Sequence, residues 1–123
     1  ALVGTMRRSG LPVELATRGE RDTVPAAIDL AGFRIVQESL TNVLRHAGPA
    51  HAQVTVCYGP GAIEIEVTDD GSARPDTVPR PGGHGIAGMR ERSAAVGCTL
   101  DAEPREGGGF RVRAHLPLSG AGA

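Results

Sequence analysis

The chain has 123 residues, 40% hydrophobic and 22% charged, with a formal net charge of −1. That is the size and balance of one globular domain with one core. It has no bulk positive charge to attract nucleic acid or an anionic membrane, and one Tyr, two Phe and no Trp make no base-stacking platform. All 13 basic residues are Arg. The Lys that a P-loop or a eukaryotic-type protein kinase sets against phosphates is therefore absent, and Schiff-base chemistry is excluded with it. Cys57 and Cys98 lack metal-ligand spacing and are expected to be free thiols acting as small buried apolar residues, as suits a cytoplasmic protein. No apolar run is long enough to cross a bilayer. The start "ALVGTM" lacks an initiator Met, so the expectation is a piece of a longer protein.

Residues 1–10 are expected to form a helix end or linker. "LPVELATRG" predicts a short strand closed by Gly19. "DTVPAAIDLAGFRIVQESLTNVLRHAG" is the main helical region. Asp22 or Thr23 caps it, Pro25 suits its first turn, Gly32 bends or divides it, and Gly48-Pro49 stops it. "AQVTVCYG" and "AIEIEVTDDG" alternate with period two and predict a hairpin around "PGA". "SARPDTVPRPGG" is a loop of turn-formers. "GIAGMRERSAAVG" predicts a short helix, and "CTLDAEPREGGGFRVRAHLPL" two more strands around a glycine tip. The tail 119–123 is expected to be disordered. This order predicts an α+β fold, with a mixed sheet and helices on one face.

Residues 83–88, "GHGIAG", match G-x-G-x-x-G, and Glu103 lies after Gly83 at dinucleotide-fingerprint spacing. The context fails. Pro79-Arg80-Pro81-Gly82 cannot end a buried central strand, and the 35 residues after Gly88 read as a hairpin rather than a βαβ unit. The glycines still permit close backbone approach, and the amides that open the next helix favour an anion.

In "FRIVQESLTNVLRHA", Phe33, Val36, Leu40, Val43, Leu44 and Ala47 predict one apolar stripe. Glu38, Asn42 and His46 fall nearly opposite. They read equally as a solvated face or as chemistry. The carboxylate of Glu38 can orient or deprotonate an attacking group. The amide oxygen of Asn42 suits Mg²⁺, and Arg45 can fork onto a phosphate. In "VTDDGS", Asp69 and Gly71 form either a turn or a strand-end acceptor for the exocyclic amine of adenine, with room for the base over the glycine.

The segments "QESLTNVLRHA", "VTDDGS" and "GGHGIAGMRER", in that order, resemble the ATP-binding catalytic domain of bacterial sensor histidine kinases. The closest resemblance is to the subfamily that acts on NarL-type response regulators. It covers residues 11–118. It implies a Bergerat-type two-layer α/β sandwich, a mixed and mostly antiparallel sheet packed against about three helices. ATP and Mg²⁺ are the implied cofactors. The resemblance makes Asn42 the Mg²⁺ ligand, with Glu38 beside it to orient or activate the acceptor, and sets Arg45 and His46 by the phosphates. Asp69 and Gly71 would read adenine. Gly83, His84, Gly85, Ile86 and Gly88 would hold the triphosphate, and 72–82 would be a lid.

Two positions depart from the family pattern. Ala73 replaces the second glycine of D-x-G-x-G, and Phe110 stands where many relatives have Thr near the adenine. The phosphoacceptor His of such kinases lies on a separate dimerising domain, and none of His46, His51, His84 and His115 stands on a helix upstream of Asn42. The implied partners are that domain, in a homodimeric parent, and a response regulator. A serine kinase of the anti-sigma type and a non-catalytic nucleotide-binding regulatory domain are the alternatives on the same fold.

Overall fold

The computed structural model describes residues 10, 12–19, 24–46, 51–71, 85–106 and 108–118. The side chains of 44–46 and 85–87 lie outside that description, as do the expected tail, the loop 72–84 and all of the expected linker but Gly10. Strand β1 (Val13–Arg18) leads to helix α1 (Ala26–His46), and then to the hairpin β2 (Ala52–Tyr58) and β3 (Ala62–Asp69). Helix α2 (Gly85–Ala95) precedes a second hairpin, β4 (Thr99–Pro104) and β5 (Phe110–Pro117). One sheet has the order β1-β2-β3-β5-β4. Only β1 and β2 are parallel; the other three pairings are antiparallel.

The period-two pattern fixes which side of the sheet faces the helices. Ile63, Ile65, Val67 and Asp69 of β3 and Phe110, Val112, Ala114 and Leu116 of β5 are buried on one face. The opposite face carries opposed charges at facing register positions: Glu64 with His115, Glu66 with Arg113, and Glu103 with Arg111. The hydrogen bond from Arg111 to Glu103 holds that guanidinium's pKa above its ordinary value. Such exposed pairs add little stability, but they leave only one face that can take a helix.

Helix α1 is continuous. The Pro25 carbonyl accepts from the Ile28 and Asp29 amides, both at 3.0 Å, so Pro25 caps the helix instead of lying in its first turn. The candidate caps Asp22 and Thr23 are outside the described residues. Gly32 does not divide the helix. A methyl built there would lie 3.2 Å from Ile65 Cδ1 and 3.4 Å from Leu116 Cδ2. Its missing side chain lets α1 sit down on β3 and β5.

Of the expected stripe, Leu40 and Val43 are buried and Val36 packs against the core, the Leu44 side chain and Ala47 lie outside the described residues, and the centre of burial is shifted toward Gly32. Phe33 is 48% exposed, and the buried line is Ile28, Gly32, Ile35, Ser39, Leu40 and Val43. As a result Glu38 and Asn42 are half-buried rather than opposite the core. Helix α2 packs on α1 and β4 and buries Met89. It ends in a Schellman motif: Cys98 N donates to Ser93 O at 2.8 Å and Gly97 N to Ala94 O at 3.1 Å, with Gly97 at φ 81°. Cys57 and Cys98 are free thiols, and burial raises the pKa of Cys98.

Leu40→Ala should remove about 2–5 kcal/mol of stability, because Leu40 is fully enclosed between helix and sheet. Leu30→Ala, on the same helix but 52% exposed, should change stability by less than about 1 kcal/mol. Urea denaturation of both variants checks this, and equal losses would contradict the burial of Leu40 against the sheet.

Candidate functional site

The connection between α1 and β2 sets where the chemistry gathers. Ala52, the first residue of β2, pairs with Asp69, the last of β3. The five residues 47–51 span at most about 20 Å, so α1 must end near that edge of the sheet. Gly32 rests over Ile65 and Leu116. Ten residues further along the helix, about 15 Å, Asn42 comes level with the Asp69 end of β3. Glu38 lies one turn earlier on the same side. Glu38 and Asn42 thus lie on the half of the helix that runs toward the strand end carrying Asp69.

Asp69 is 2% exposed. It closes the buried row, with Ala52 on one side and Phe110 on the other. Its Oδ1 accepts from Gly71 N at 2.9 Å, and Gly71 is itself buried. Asp70 points the other way into solvent. Its Oδ1 accepts from His51 N at 2.6 Å, and its Oδ2 lies 3.5 Å from His51 Nδ1. The backbone hydrogen bond from His51 is the largest cause holding the Asp70 carboxyl below its ordinary pKa. The two adjacent aspartates are therefore distinct: Asp70 ties β3 to the start of β2, and Asp69 faces the helix.

A third element reaches the same point. The β4–β5 tip closes through Arg105 N to Gly109 O, 2.9 Å, and Gly108 N to Arg105 O, 3.2 Å. From this tip Arg105 Nη1 donates to Asp69 O at 2.8 Å. Gly109 has φ 91°, and a methyl there would lie 2.0 Å from Asp69 O. The glycine run signals a hairpin tip in the sequence. Nothing in it signals that the tip is pressed on Asp69, and Arg105 carries no motif at all.

Arg45 and His46 fall in the last turn of α1, with their side chains outside the described residues. Gly83 and His84 are outside them entirely, and Gly85 and Ile86 open α2. Gly88 is half-buried in the same helix. The dinucleotide spacing has no βαβ unit behind it, because α2 leads into an antiparallel hairpin. Glu103 is an exposed partner of Arg111. A cavity of about 310 Å³ between α1 and α2, lined by Leu30, Arg34, Met89 and Arg92 among others, lies at the far end of α1. Its lining is mostly apolar.

Comparison with known proteins decides the family. Residues 29–120 match the family of histidine kinase-, DNA gyrase B- and HSP90-like ATPases. The chain belongs to that ATPase family. The sensor histidine kinase YxjM of Bacillus subtilis (strain 168) is 34% identical over 112 residues, 90% of this chain and 27% of that protein. The sensor histidine kinase LnrJ of the same organism is 29% identical over 92% of this chain and 28% of its own length. The chain thus spans a little over a quarter of these relatives. Among solved structures, the blue-light activated histidine kinase of Erythrobacter litoralis EL346 superposes with a TM-score of 0.78 at 23% identity, over 96% of this chain and 40% of that one. The mixed sheet with its helix layer is that of the Bergerat-type sandwich.

The donor chemistry of the site fits the nucleotide typical of this ATPase family. Mg²⁺ takes one or two protein oxygens and completes its shell with water and phosphate oxygens, and Asn42 and Glu38 are of that kind. Asp69 is a buried acceptor beside a glycine, which a purine amine can approach.

Gly109→Ala should cost more than about 1 kcal/mol, because the residue keeps a positive φ and its methyl would meet the Asp69 carbonyl. Gly61→Ala, where a methyl meets nothing within 4 Å, is the control. Thermal melts of both variants test the contact; a Gly109→Ala melt equal to the control's would mean that the tip does not bear on β3.

Proposed function

We propose that residues 11–118 form the catalytic domain of a sensor histidine kinase, which passes the γ-phosphoryl group of ATP to a histidine on a separate dimerising domain. A response regulator of the NarL type would then receive it. The observation that carries this reading is the buried Asp69 beside Gly71 at the end of a central strand, in a chain that matches the ATPase family over residues 29–120. The kinase names of the similar proteins support it, as does "GMRER" within α2.

In this reading the buried Asp69 carboxylate accepts a hydrogen bond from the adenine amine, and Gly71 gives the base a flat backbone to lie on. Asn42 supplies an amide oxygen to Mg²⁺, which neutralises phosphate charge when bound. Glu38, one turn earlier, orients the incoming imidazole and can take its proton. Arg45 and His46 flank the phosphates from the last turn of α1. Gly83, His84, Gly85, Ile86 and Gly88 offer backbone amides at the start of α2. Phosphoryl transfer depends on such positioning and charge neutralisation more than on covalent help from the protein.

A regulatory domain that binds nucleotide without transfer is the second reading. Phe110 favours it, since a buried phenyl lies directly across from Asp69 and brings no hydroxyl to the base.

Calorimetric titration with ADP, with and without Mg²⁺ and with NAD⁺ as control, tests nucleotide binding. Mg²⁺-dependent ADP binding and no response to NAD⁺ are expected. With the acceptor domain supplied, Asn42→Ala should abolish transfer while the far-ultraviolet circular dichroism spectrum is unchanged. Binding without any transfer in the unmutated chain would favour the regulatory reading. Asp69→Asn should weaken ADP about tenfold or more and GDP little, since it removes a buried charged acceptor. Equal losses for the two would remove Asp69 from base reading.

A further inference from the structure

Ser39 is 2% exposed, and its Oγ has no hydrogen-bond partner among the described residues. A serine within a helix usually returns its hydroxyl to a carbonyl one turn back. A buried hydroxyl left unsatisfied is costly and calls for an explanation.

Its position supplies one. Ser39 lies seven residues after Gly32, on the same face and about 10 Å further along the axis. Gly32 rests over Ile65 and Leu116. Strands advance about 3.3 Å per residue, so Ser39 comes level with β3 about three residues beyond Ile65, between the row of Asp69 and the row Val54–Val67–Val112. The side chains of that row are apolar and offer Oγ nothing. The next row holds Ala52, Asp69 and Phe110, and the only polar side chain there is the Asp69 carboxylate.

We propose that the Ser39 hydroxyl is a second base-reading group. It donates to the ring nitrogen N1 of adenine, directly or through one water, while Asp69 accepts from the neighbouring exocyclic amine. The inference rests on the nucleotide reading above and adds a residue to it. Amine and N1 are adjacent on one edge of adenine, so two groups one step apart under α1 match them as a donor and an acceptor. The hydroxyl has no partner among the described residues because its partner comes with the ligand.

The test is a two-by-two comparison of the full chain and Ser39→Ala, titrated with ADP and with 1-deaza-ADP in the presence of Mg²⁺. In 1-deaza-ADP a carbon replaces N1 and the amine is kept. Ser39→Ala should bind ADP about three- to tenfold more weakly. The unmutated chain should bind 1-deaza-ADP more weakly by a similar factor, and the variant should bind the two nucleotides alike. Without ligand, Ser39→Ala should melt at the same temperature or higher, since it removes an unsatisfied buried hydroxyl. A structural role would lower that melting temperature instead and leave the nitrogen-to-carbon penalty unchanged between the two proteins. Equal ADP affinity in both proteins, or no penalty for 1-deaza-ADP in the unmutated chain, overturns the proposal and leaves the nucleotide reading standing. If the unmutated chain binds neither nucleotide, the nucleotide reading fails and this inference fails with it.

Discussion

The burial of one carboxylate at the end of a central strand organises this domain. Desolvating a charge is expensive unless donors are held against it, so the chain around Asp69 must be fixed. The turn after β3 presents the Gly71 amide to its side chain. The β4–β5 tip grips its carbonyl through Arg105, and the bare backbone of Gly109 lets that tip approach. Asp70 ties the next residue to the start of β2. Two parts of the chain distant in sequence, the β4–β5 tip and the start of β2, are thus tied to Asp69 and its neighbour Asp70. A carboxylate held this way needs little rearrangement to read a ligand, and that kind of preorganisation makes a buried acceptor selective.

Helix α1 serves the core and the site with neighbouring side chains. Ile35, Leu40 and Val43 are enclosed against the sheet. Ser39 lies among them with its hydroxyl unsatisfied by the described residues, and Glu38 and Asn42 stand half-buried beside them. A helix with its polar groups directly opposite the core would place them in open solvent, where ligand contacts compete with water. The shift of burial toward Gly32 puts those groups at the rim of the core instead. The dielectric is lower there, and each hydrogen bond made is worth more.

The elements are legible in the sequence because the local signals agree. Period-two alternation marks β2, β3 and β5, turn residues mark both hairpins, and the order of elements excludes a doubly wound sheet. Asp69 and Asn42 stand in motifs that keep their spacing within a single element. The shift of burial toward Gly32 is not legible. Counting apolar residues puts Phe33 in the core, and Phe33 is half-exposed while Gly32 beside it makes the close contact. A glycine carries no hydrophobic signal, so helical periodicity cannot weigh it. Arg105 and Gly109 escape sequence reasoning for a related reason. Their importance comes from contact across the fold with Asp69, 36 positions before Arg105, which no local pattern encodes. Ser39 escapes it because its meaning is a missing partner, visible only once its surroundings are placed.

The arrangement also accounts for why a metal should matter so much here. The last turns of α1 point their unpaired carbonyls toward the end of the helix, equivalent to about half a negative charge. Asn42 lies one turn from that end, so a triphosphate held beside it meets an unfavourable dipole. In the proposed site Arg45 and His46 would offset part of this, as would the positive start of α2, which opens at Gly85 with no acidic residue in its first turn. With a net charge of −1 and no Lys in the chain, no wider positive field makes up the rest. In the proposed site a divalent cation at Asn42 would neutralise phosphate charge where the helix dipole is least favourable. Nucleotide affinity in such a site should therefore depend on the metal more steeply than in one built on a helix N-terminus alone, where the dipole already favours the phosphates.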